Sequence, residues 1–181
     1  MSDADSLNLA LLALRLTLAG VMLAHGINHI VGGGKIAGTG RWFASLGMRP
    51  GPLHAWLASL TEVVGGALLA LGLLTPLAAA SVVGVMVVAW IINHRGNGFF
   101  IFRPGEGWEY VMTLTFVALA TGILGPGDWS LDEALGIRDD LTGTTGLLIT
   151  ALAGGGGAAA LLAGFWRPTP RGRGVGHPSV R

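Results

Sequence analysis

The chain has 181 residues, a length that suggests one domain, of which 51% are hydrophobic and only 12% charged. Soluble domains carry about a quarter charged residues, so a mean hydropathy of +0.64 points to an integral membrane protein. The formal net charge of +1, with no basic stripe before the tail, gives no reason to expect nucleic acid as a partner. The lack of cysteine excludes disulfides, Cys-ligated clusters and a thiol relay within the chain.

A helix needs about 20 apolar residues to cross the hydrocarbon core. The first candidate runs from Leu7 to about Ile30. No basic n-region or clear cleavage site accompanies it, so it reads as a retained span. A Gly-rich, basic segment follows from Val31 to Pro52. The second span runs from Leu53 to Leu74, with Thr75-Pro76 as the turn. The third covers Leu77 to Asn93 and the fourth Glu109 to Leu124, both short for a full crossing. Gly125-Pro126-Gly127 ends the fourth, and an acidic stretch leads to a fifth, Gly146 to Trp166. The run Gly154 to Gly157 would weaken that helix in water, whereas in lipid small residues allow close helix contact. The residues from Arg167 to Arg181 read as a disordered tail rich in Pro, Gly and Arg. The glycine run before Lys35 is not a P-loop, since no Ser or Thr follows the Lys and no strand precedes it.

Orientation follows from the Lys and Arg of the loops. With five spans, Lys35, Arg41, Arg49, Arg95, Arg103, Arg167, Arg171, Arg173 and Arg181 share one side, against Arg138 alone on the other. The N-terminus is therefore expected outside and the C-terminus in the cytoplasm.

Ionisable residues inside spans are costly and tend to face the bundle interior. Arg15 and Glu62 sit at similar estimated depths, which predicts an ion pair or shared polar network, either a packing clamp or part of a site. Arg15, Met22, His25 and His29 fall within an arc of about 80° on a helical wheel. Glu62, Gly65 and Gly66 share a face of the second span, which fits a close helix contact or a slot for a flat ligand. His25, His94 and Glu109 gather near the cytoplasmic ends of their helices and are the candidates for proton transfer. Trp42 and Trp108 lie near that level, either lining a ligand site or belonging to an interfacial aromatic belt. Metal and haem are not expected, because the paired Glu-x-x-His signature of a di-iron bundle is absent. No nucleotide site is expected either.

Leu14-Arg15-Leu16, Leu23-Ala24-His25-Gly26, Trp42 to Gly47, Glu62 to Gly66, Leu71 to Thr75, Asn97 to Phe100, Trp108-Glu109-Tyr110 and Gly125 to Asp132 together carry a family pattern. Over about Leu7 to Leu135 the chain resembles the DoxX family of small bacterial membrane proteins, which is related to the small membrane subunit of thiosulfate:quinone oxidoreductase. The resemblance implies a four-helix bundle in the bacterial inner membrane and redox work beside a quinone pool or partner enzyme. The expected organisation is then a DoxX-like domain over 1–135, a linker and fifth helix over 136–166, and the tail over 167–181. The first functional expectation is a redox-associated subunit that binds a quinone or similar apolar ligand, with Arg15, Glu62, Gly65, Gly66, Trp42 and Trp108 around it. Its partners would be membrane lipid and a cytoplasmic or membrane protein carrying the remaining chemistry. The alternatives are a non-enzymatic scaffold or assembly factor and, more weakly, a small-solute transporter, whose inverted repeats are not seen. The family pattern often has a Lys shortly after His-Gly, where this chain has Asn28 and His29.

Overall fold

A computed structural model describes residues 1–105 and 107–168; the tail from Thr169 onward lies outside the described residues. The fold is an all-α bundle. Helix α1 (Asp3–Val31) opens on a capping box between Ser2 and Asp5, which satisfies backbone donors that a helix start leaves free. It then turns Leu11, Arg15, Leu18, Met22 and Gly26 inward at the spacing of one helical face. Helix α2 (Lys35–Ser45) is short and turns back across the end of the bundle. Helix α3 (Gly51–Leu71) stops three residues short of the expected Leu74, because Gly72 takes a left-handed turn at φ +63° that suits glycine. Helix α4 (Thr75–His94), with a wider π turn over Trp90–His94, is a full 20 residues rather than a short span. Helix α5 (Trp108–Leu124) is the short one, at 17 residues. A small helix α6 (Leu131–Ala134) and a 3-10 turn (Asp139–Leu141) precede α7 (Gly143–Phe165), which carries its own π turn at Leu152–Gly156.

Four helices, α1, α3, α4 and α7, are long and apolar enough to cross a membrane. With α5 the chain passes five times between two ends. One is a basic end, where α2 and the α4–α5 loop lie. The other is an acidic end holding Asp128, Asp132, Glu133, Asp139 and Asp140. The flanks carry Leu16, Leu60, Val64, Phe116, Leu148 and Leu152, each about half or more exposed. So much open apolar surface suits lipid and not water. The protein is a multi-pass membrane protein.

The bundle packs in the order α1, α3, α4, α5, with α7 seated on α4 and α5. Leu18, Met22, Leu69, Val82, Met86 and Ala118 form its centre. Two close approaches set the spacing. A Cβ on Gly66 would lie 2.9 Å from Leu23 Cγ and 3.1 Å from Ala19 O, and one on Gly154 would lie 2.7 Å from Ala80 O. Glycine at these points lets α1 meet α3, and α7 meet α4, backbone to backbone.

The acidic end is held by two buried ionic side chains. Asp132 accepts hydrogen bonds from Leu74 N (2.7 Å), Thr75 N (2.9 Å) and Thr75 Oγ1 (2.8 Å), so it ties α6 to the α3–α4 turn. Arg15 donates to Leu69 O (3.1 Å), Ala70 O (3.3 Å) and Trp129 O (2.7 Å). These first two are among the last carbonyls of α3, which a cation is well placed to satisfy. At the surface, Arg138 bonds Asp139 and pairs with Glu133 and Asp128, which holds its guanidinium above its ordinary pKa.

Candidate functional site

Arg15 and Glu62 do not pair. Arg15 is level with the C-terminal end of α3, while Gly26 is the α1 residue that faces Glu62, since a Cβ there would lie 2.9 Å from Glu62 Cβ. Eleven residues of α1 separate the two levels, roughly 16 Å at 1.5 Å per residue. Equal depth would require each helix to enter the hydrocarbon at its first apolar residue. In fact α1 is 29 residues long, and its first turns pass beyond the end of α3, where Asn8 bonds Asp128.

Glu62 instead meets His29. Their Oε2 and Nδ1 atoms lie 3.0 Å apart, but the approach is off the line of a good hydrogen bond, so each keeps bonding capacity to spare. The carboxylate is only 4% exposed. One turn earlier on α1, His25 Nε2 lies 3.2 Å from Tyr110 Oη on α5. That contact bridges a seam where α1 and α5 touch over a short stretch.

These groups border one cavity of about 490 Å³. His25, His29, His54, Glu62, His94 and Tyr110 supply its polar groups, and nearly all other lining side chains are apolar. His54, 2% exposed, is edged by Phe43 (6.4 Å) and Phe165 (5.2 Å). Its Nε2 has no hydrogen-bond partner, and neither has Nδ1 of His94, whose Nε2 lies 3.3 Å from Asn93 Nδ2. Buried nitrogens of this kind are uncommon and call for an explanation. Among the described residues, no three His, Asp or Glu side chains converge as a metal site.

The sequence-predicted residues divide. His25, His94, Glu62 and Trp42 line the cavity. Gly65 and Gly66 serve helix contacts: a Cβ on Gly65 would run into Ser81. Glu109 accepts from Ile101 N (2.8 Å) and orders the α4–α5 loop. Trp108 stands edge-on to Phe99 at 4.6 Å and packs on the core. Arg15 belongs to the acidic end. His54 is the residue that sequence reasoning misses, although it shares a helical face with Ala58 and Glu62; that spacing is its only signal.

The family model for DoxX matches residues 10–95. Over those residues, just under half of the chain, the protein is similar to the DoxX family. The match covers α1 to α4 and ends before the 135 that the motifs suggest, so Tyr110 and all of α7 lie beyond the DoxX segment although they help to enclose its cavity. No curated protein and no solved structure matches the chain.

Proposed function

We propose that this DoxX-like protein is a redox-associated subunit of the bacterial inner membrane that binds a quinone-like ring in the cavity and exchanges protons with it. The observation that carries the reading is the gathering of four histidines, Glu62 and Tyr110 on an otherwise largely apolar wall. Ligand sites combine this kind of wall with a few convergent polar groups. Two buried nitrogens, His54 Nε2 and His94 Nδ1, stand without partners there and fit the carbonyl oxygens of such a ring, since either imidazole nitrogen donates in the right tautomer. A bound quinone supplies two-electron, two-proton chemistry. His29 Nδ1 and Glu62 Oε2, 3.0 Å apart and not hydrogen-bonded to each other, are the pair that takes up or gives the proton. His25, more exposed than either, connects that pair to the mouth of the cavity beside Tyr110. The chain has no cysteine, so a partner protein delivers the electrons. The charge bias of the loops supports a cytoplasmic position for this mouth.

The test is a titration of the full chain in lipid nanodiscs with a chain-free benzoquinone, followed by quenching of tryptophan fluorescence; Trp42 borders the cavity. The expected result is saturable quenching by wild type and at least tenfold weaker binding by Glu62→Gln, with thermal stability changed little. No saturable binding by wild type refutes the reading. A Glu62→Gln protein that loses stability but binds unchanged supports a packing role instead.

A further inference from the structure

The cavity does not end at its polar groups. Along α4 its lining runs from His94 back to Leu77, roughly 25 Å at 1.5 Å per residue. This limb is largely apolar, with the hydroxyls of Thr61 and Ser81 as its polar groups. Its floor is Ala80 and Gly84 of α4, with Gly154, Gly157 and Ala158 of α7. Helix α3 forms the other bank through Leu57, Ala58 and Thr61.

Helices α3 and α7 are joined at the basic end. There Arg49 N donates to Phe165 O at 3.2 Å and the His54 and Phe165 rings meet at 5.2 Å. Beyond that end, where Leu161 and Leu162 share an apolar cluster with Ala55, the two helices have little mutual packing among the described residues. The limb therefore has an opening toward the bilayer between α3 and α7, edged by the exposed Leu57, Ala153 and Gly157.

The glycine run of α7 divides by what faces it. Gly154 is a packing residue against Ala80 and Val83, whereas a Cβ on Gly157 would meet nothing within 4 Å. A glycine that weakens a helix without permitting any contact leaves room for something else. Independently, the polar end of the same cavity holds the His54 ring, 2% exposed with Nε2 unpartnered.

We propose that the limb between α3, α4 and α7 receives a long hydrocarbon chain, so that the ligand is a chain-bearing membrane lipid that enters sideways through the α3–α7 opening. The inference rests on the ring-binding reading above and names the class of ring compound. The small residues of the fifth span then form the trough in which the hydrocarbon chain lies.

Two benzoquinones with the same ring, one chain-free and one with a ten-carbon chain, decide the matter. Each is titrated against the full chain in nanodiscs, as wild type, Gly157→Leu and Gly156→Leu. Gly156 has open space at its Cβ but does not line the cavity. Partitioning into lipid is common to all three proteins, so only ratios between them count. The expected result is a preference of wild type and Gly156→Leu for the chain-bearing ring at least tenfold above that of Gly157→Leu, with chain-free binding equal within about twofold. Equal preference in all three, or equal weakening of both rings by Gly157→Leu, overturns the proposal and leaves the ring reading standing. If wild type binds neither ring, the ring reading fails. The groove is then judged by native mass spectrometry: a lipid retained by wild type and lost from Gly157→Leu supports it, and none retained overturns it.

Discussion

Asp132 is the residue whose removal should cost this fold most for its size. It is fully buried and its carboxylate satisfies three donors, of which Thr75 N and Thr75 Oγ1 are themselves buried. In Asp132→Ala those two groups lose their acceptor at a point where water cannot easily replace it. An orphaned buried donor costs about 1–3 kcal/mol, so the pair amounts to about 4 kcal/mol. The Leu74 N–H lies nearer the surface and adds less. At about 2–4 °C per kcal/mol for a chain of this length, the melting temperature should fall by about 8–16 °C. The assay is circular dichroism during heating in detergent, with Asp140→Ala as control, since Asp140 is exposed and such surface changes stay within about 0.5 kcal/mol. If Asp132→Ala melts within about 2 °C of Asp140→Ala, well inside the shift expected from two orphaned donors, the view of Asp132 as the tie between α6 and the α3–α4 turn is refuted.

Two further outcomes are expected. Tyr110→Phe removes the 3.2 Å contact with His25 across the α1–α5 seam. Losing a net stabilisation of about 1 kcal/mol should raise amide exchange over residues 108–112 by about fivefold, while residues 118–124 keep their rate; an equal rise along all of α5 would contradict a local clasp. Orientation can be read because the chain has no native cysteine. Asp140→Cys should react with an impermeant maleimide in intact cells and Arg41→Cys only after permeabilisation, and the reverse pattern would invert the proposed topology.

The spans are legible in the sequence because hydrophobicity over about 20 residues is a strong signal, and Gly125-Pro126-Gly127 marks the end of α5 to the residue. Glu62 and His25 are legible because ionisable groups in apolar runs stand out. The partners of those groups are not. A pairing between helices depends on their axial offset, and a single sequence carries no measure of where α1 begins relative to α3. That is why depth along each span matches Arg15 to Glu62, when its contacts are carbonyls of α3 and Trp129 O. Helix α2 is hidden by its glycines, since Gly38 and Gly40 argue against a helix that tertiary contact of Phe43 with the end of the bundle sustains. His54 escapes notice because one imidazole near a helix start resembles an interfacial residue; only the fold shows it at 2% exposure.

The way α7 is fastened has a consequence for how the protein is made. Its end is stitched to the α2–α3 turn by Trp166 Nε1 to Leu46 O, Arg167 N to Gly47 O and Arg49 N to Phe165 O, contacts spanning well over a hundred residues of chain. Such distant pairings form late, and synthesis proceeds from the N-terminus. The DoxX segment thus enters the bilayer with one wall of its cavity missing. Throughout that interval the nascent bundle presents its histidines and Glu62 sideways to lipid or to an insertion factor. Helix α7, made after α1 to α5, supplies that missing wall, so a ribosome stalled before α7 would leave an inserted protein with its cavity open along a whole flank.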